Sequence, residues 1–108
     1  MKRVDTARMA ELIARCFDLS MDGRLKQRQR SALLAAGKRL RGDLVTLLAA
    51  QFDDATPGVD AANQDLAKVN DALQASAADL GKLGQVLQKL TRLVAQIDKL
   101  IPAIARNV

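Results

Sequence analysis

Seven cations crowd the stretch from residue 24 to residue 41: Arg24, Lys26, Arg28, Arg30, Lys38, Arg39 and Arg41. At that density Lys and Arg could grip phosphates, giving salt-dependent and sequence-independent affinity for nucleic acid or an anionic membrane. Other side chains capable of chemistry are sparse. The chain has no His, so metal binding and general acid–base catalysis lose their commonest residue. Its single Cys, Cys16, shares a helical stripe with Met9, Leu12 and Ile13, which makes it a small core residue rather than a nucleophile. Asp53 and Asp54 are adjacent carboxylates at a turn, the usual place for helix caps. Gly81-Lys82-Leu83-Gly84 lacks the preceding strand and the GK[ST] ending of a phosphate-binding loop. With no nucleophile–base constellation, ligand cluster or paired carboxylates, the expectation is a protein without catalysis, cofactor, metal or small-molecule substrate.

The cations have a plainer reading as a solvated helix face, because Arg24, Arg28, Lys38 and Arg39 fall opposite the apolar stripe of their helix. Two Phe, no Trp and no Tyr leave no aromatic residues between them to stack on bases. The same shortage argues against a basic membrane-surface helix. Nucleic-acid binding therefore stands as an alternative rather than the leading function.

The elements that carry these residues read as helices. Met9, Leu12, Ile13 and Cys16 recur at i, i+3, i+4 and i+7 and predict a helix over about residues 6–19, capped by Asp5 or Thr6. Ser20-Met21-Asp22-Gly23 interrupts it. Leu33, Ala36, Leu40, Leu44 and Leu47, with Gln51 at the edge, predict a second helix over about 26–52. Asp53-Asp54-Ala55-Thr56-Pro57-Gly58 is the clearest punctuation, with Thr56 placed as N-cap and Pro57 as first helical residue.

The third segment, about 57–101, has the strongest pattern. Leu66, Val69, Leu73, Ser76, Leu80, Leu83, Leu87, Leu90, Val94, Ile97, Ile101 and Ile104 alternate spacings of three and four, an a/d heptad register broken by one Ser. As one helix it would span roughly 65–70 Å. Gly81 and Gly84 each cost about 1 kcal/mol relative to Ala and mark the point where a break would give four helices. Beyond residue 83 the g positions Val86, Leu93 and Leu100 are apolar too, widening the face. Burying a Leu-sized side chain stabilises by about 1.5–3 kcal/mol, so this surface must be covered. Leu83, Leu87, Leu90, Leu93, Val94, Ile97 and Leu100 are the expected protein interface.

The fold expected is all-α: an elongated three-helix hairpin or bundle in a single domain over residues 1–108, with a long coiled-coil-like C-terminal helix. Few aromatics suit thin seams between helices rather than a thick core. Charge is uneven, with 11 Lys/Arg against 5 Asp/Glu over residues 1–50 and 6 against 7 over the rest. The charged N-terminus shows no signal peptide, no apolar run approaches a membrane span, and one Cys argues against a disulfide scaffold. A cytoplasmic location is expected, with export independent of a cleavable signal left open. The leading function is a non-enzymatic adaptor, chaperone or structural subunit that self-associates or binds another helical protein. The alternatives are a basic DNA- or nucleoid-associated protein and a helical inhibitor or immunity-type partner of a toxin.

Overall fold

The computed structural model describes residues 1–104 of the chain. Four α-helices, α1 (Thr6–Ser20), α2 (Gln27–Leu47), α3 (Val59–Ala78) and α4 (Leu83–Leu100), form an all-α bundle of 49 × 20 × 19 Å. Single 3-10 turns, Leu80–Lys82 and Ile101–Ala103, precede and follow α4. Among the described residues no helix is long and apolar enough to cross a membrane.

Each helix starts and stops for a local reason. Asp5 caps α1, its side chain accepting from the Arg8 amide at 3.0 Å. The Asp22 carboxylate accepts from the Arg24 amide at 2.9 Å and from its guanidinium, which staples the turn into α2. The Arg24 guanidinium holds the Asp22 carboxyl down at about 2. Gly58, at φ 92, supplies the left-handed backbone from which α3 departs. Its N-cap is therefore Gly58, and Thr56 and Pro57 lie before the helix.

The long third helix is two helices. At Asp79 the backbone leaves helical geometry (φ −136, ψ 89), and its carboxylate accepts from the Gly81 amide at 3.2 Å. An Asp that caps the following turn ends one helix and starts the next, so the break precedes the glycines. The chain then folds back, and the apolar pattern continues on an antiparallel neighbour rather than along a rod. The second helix also ends early, at Leu47 rather than near residue 52, because Phe52 has another task. Its backbone pairs with Lys2 through bonds of 2.7 and 2.8 Å, and its side chain is fully buried at the pole where α1 begins.

The two hairpins, α1–α2 and α3–α4, stand side by side in the same orientation. Thus α1 runs parallel to α3 and α2 parallel to α4, while α2 and α3 occupy a diagonal. Residues 48–58 cross the lower pole along that diagonal. Two asparagines one heptad apart fasten the α1–α3 pair. Asn63 accepts from the Asp5 amide (2.8 Å) and donates to the Arg3 carbonyl (3.0 Å). Asn70, itself buried, accepts from Arg15 Nε (2.9 Å) and donates to Glu11 Oε2 (3.0 Å). A buried amide with both ends engaged fixes the register of two packed helices.

The core is aliphatic, as the composition implies. Met9, Leu12, Cys16, Leu33, Leu40, Leu66, Leu73, Leu83 and Ile97 are sealed from solvent. On α3 the buried residues are the a and d positions, extended backwards to Val59 and Ala62, together with Asn70 at an e position. On α4 the inward face is instead Leu83, Val86, Leu90, Leu93, Ile97 and Leu100, which are d and g positions. The wide face near the C-terminus serves two neighbours at once, α3 on one flank and α2 on the other.

Candidate functional site

The bundle uses up the apolar stripe from which an interface was expected. Leu83, Leu90, Leu93, Ile97 and Leu100 are buried within the chain, and Leu87 and Val94 are half-buried against the same core. Among the described residues α4 keeps no exposed large apolar side chain, and such surface was the ground for placing a partner there. Three helices laid end to end could not have covered that face, but the break at Asp79 adds a fourth.

Nor do the seven cations form one patch. Residues two apart on a helix point about 200° from each other, so Arg39 and Arg41 flank opposite sides of α2. Arg39 reaches α4, its Nε lying 3.2 and 3.1 Å from the Asp98 oxygens. Arg41 lies over the Phe17 ring of α1, 5.4 Å from its centroid. Arg24 is committed to Asp22, and Lys26 sits at the N-cap of α2. Arg28, Arg30, Lys38 and Arg41 have no carboxylate within ion-pair distance among the described residues.

What the structure does gather lies on the outer face of the α1–α2 hairpin. Among the described residues, four of the five exposed large apolar side chains, Met21, Leu34, Val45 and Leu48, belong to this hairpin or its turn. Val45 is 72% exposed and Leu48 58%. Positions 34, 38, 41, 45 and 48 are spaced by four and three, so Leu34, Lys38, Arg41, Val45 and Leu48 form one ridge along α2. Phe17 lies beside the ridge on α1, tucked against Gly37. At the upper end a 370 Å3 hollow is lined by Ser20, Gln27, Arg30, Ser31 and Leu34. Arg30 Nε is sealed from solvent there without an acceptor.

The acids of the hairpin face elsewhere. Glu11 bonds Asn70 of α3, and Asp18 lines a groove with Arg15, Leu73 and Gln74 on the α3 flank. Asp43 turns to α4. Across the four helices, α2 carries Arg28, Arg30, Lys38, Arg39 and Arg41 against Asp43 alone. By contrast α3 carries Lys68 against Asp60, Asp65 and Asp71. The charge asymmetry along the chain has thus become an asymmetry between faces.

One paired-carboxylate site, not foreseen in the sequence, joins α2 to α4. Burial pushes the Asp43 carboxyl up to about 7, with the neighbouring Asp98 adding to the rise. Asp98 moves the other way, held down by the hydrogen bond from Asp43 and by Arg39. Asp43 Oδ2 is sealed from solvent with no donor beside it, the surroundings in which a carboxyl keeps its proton and can clasp an ionised neighbour. Positions 43 and 98 are too distant in sequence for any spacing rule to link them. A second feature is a 610 Å3 groove between the start of α3 and the end of α4, lined by Gly58, Arg92, Gln96, Lys99 and Leu100 among others. No carboxylate or Cys lines it beside the Thr56 hydroxyl and the Lys99 amine, and among the described residues no group of three potential metal ligands converges anywhere.

Comparison with known proteins returns no matching family model, curated protein or solved structure.

Proposed function

We propose that the chain is a non-enzymatic protein-binding module, an adaptor, chaperone or structural subunit, that engages its partner through the outer face of α1–α2. The observation that carries this reading is the concentration of exposed Leu34, Val45 and Leu48 on one ridge. Isolated apolar side chains on a surface need no explanation, but three on one side of a helix, with a half-buried Phe beside them, do. An inhibitor or immunity-type protein would use such a face in the same way.

Nucleic-acid binding is less well supported. The cations expected to act together diverge around α2, and two of them are neutralised by Asp22 and Asp98. Self-association remains within the proposal only through this outer face, since the C-terminal stripe is inside.

Site-specific photo-crosslinking in the native cell tests the reading. A photoreactive residue at position 45 should give discrete protein adducts, whereas one at the exposed Gln88 of α4 should not. Adducts to nucleic acid, or equal adducts from both positions, would remove the α1–α2 face as the binding surface.

A further inference from the structure

We infer that the occupant of the α1–α2 face is an amphipathic helix whose apolar stripe is flanked by carboxylates. The inference rests on the protein-binding reading above and adds the chemistry of the partner.

Charge decides between kinds of partner. Lys38 and Arg41 interrupt the apolar ridge, and neither has a carboxylate within 4.0 Å among the described residues. Every acid of α1 and α2 points to the α3 or α4 flank, as Glu11, Asp18 and Asp43 do. Arg30 adds a guanidinium nitrogen shielded from water and without an acceptor. A cation in such surroundings gains most from a partner's carboxylate, because the contact is made where water is being excluded. A second copy is disfavoured on the same ground. Two-fold pairing through this face would set Lys38 and Arg41 against their own kind. The acidic helix α3 offers a second copy no exposed large apolar side chain to match the ridge.

Shape decides between a helix and an extended segment. The face is built from helix surface and exposes no row of free N–H and C=O groups with which a strand could pair. A helix satisfies its own backbone, and its ridges at three- and four-residue spacing fit between those of α1 and α2. From Leu34 to Leu48 the ridge runs about 21 Å, the length of about 14 helical residues, so a helix of about 18 spans it with a turn to spare.

The test uses the intact, 15N-labelled chain and two model helical peptides of about 18 residues, a length matched to the ridge. Both carry the same Leu stripe, one flanked by Glu and the other by Lys. The Glu-flanked peptide should shift the amide resonances around Phe17, Leu34, Val45 and Leu48 and bind about tenfold more tightly than its Lys-flanked twin. The double variant K38E/R41E, altered only at exposed positions and checked for unchanged helicity, should reverse that preference. Equal affinity for the two peptides, an unreversed preference, or shifts confined to other helices would each overturn the inference. So would a short DNA duplex that shifts the same resonances more strongly than the Glu-flanked peptide. If neither peptide binds while crosslinks from position 45 still trap a protein, the acidic-helix chemistry fails and the binding face survives. If the crosslinks vanish as well, both fail.

Discussion

A β-carbon added at Gly37 of α2 would stand 2.9 Å from Cε1 of Phe17 on α1, so the ring occupies the space that any other residue at 37 would need. Gly42, in the same helix, has nothing within 4 Å of that point. Ala ordinarily stabilises a helix interior over Gly by about 1 kcal/mol. Gly42→Ala should therefore gain about 0.5–1 kcal/mol. Gly37→Ala should lose about 1–3 kcal/mol, because it displaces Phe17 and the Arg41 stacked on it. Urea unfolding of the two variants beside the parent checks the pair, and equal shifts would show that Phe17 does not rest against α2.

Replacement within the α4 stripe separates core from interface. Leu90 is buried, so Leu90→Ala should cost about 2–5 kcal/mol and Leu90→Asp should unfold the chain. Val45→Asp, on the outer ridge, should change stability by no more than about 0.5 kcal/mol. Circular dichroism melts decide. A folded Leu90→Asp protein that had only changed its oligomeric state would return the stripe to the role of interface.

The Asp43–Asp98 clasp should make stability depend on pH in the direction opposite to ordinary salt-bridged acids. The Asp43 carboxyl titrates near 7 when folded against an ordinary value of 3.8, so the folded state holds the proton more tightly. Its stabilisation is complete below about pH 4 and is lost as pH rises through about 7. No His titrates in that interval. Melting temperature should accordingly fall between about pH 5 and about pH 7.5, and Asp43→Asn should flatten the trend. A parent profile already flat over this range would exclude the shared proton.

Asn70 is the other polar group on which packing depends. Asn70→Ala leaves the Arg15 and Glu11 side chains without their α3 partner and should cost about 1–3 kcal/mol. Removing Arg15 or Glu11 in the Asn70→Ala background should then cost less than in the parent. A double-mutant cycle reads that coupling, and strict additivity would mean that the three side chains do not act together.

The pattern of success in reading the sequence follows from what each signal encodes. Periodicity located α1, the helical character of the third segment and Cys16 as a core residue, because burial on one face is a local property of a helix. It could not tell whether the register continued along one rod or onto a second helix folded back beside the first. Both satisfy three-and-four spacing, and the decision rested on Asp79, a capping residue inside an otherwise uninterrupted pattern. Whether the pattern breaks there decides where the apolar surface goes. A wide a/d/g face reads as a docking surface when three helices are counted and as a core when there are four. The cations were legible as a cluster in sequence only, since adjacent helical positions diverge. The exposed ridge of Leu34, Val45 and Leu48 was legible in principle. It occupies one side of α2 at regular spacing, but two of its five positions are charged, which disguised it as a polar face.

The diagonal crossing at the lower pole has a consequence for how the molecule can be cut and rejoined. Lys2 is pinned to Phe52 there, Gly58 opens α3 there, and α4 runs down to the Ile101–Ala103 turn at the same end. Lys2 and Ile104 therefore lie at one pole, while the hinge of each hairpin, near Gly23 and Gly81, sits at the other. A circular permutant that links Ile104 to Lys2 at the lower pole and reopens at Gly23 would begin with α2 and finish with α1. Every helix would keep its neighbours, and any tag would be carried at the pole opposite the closing Phe52.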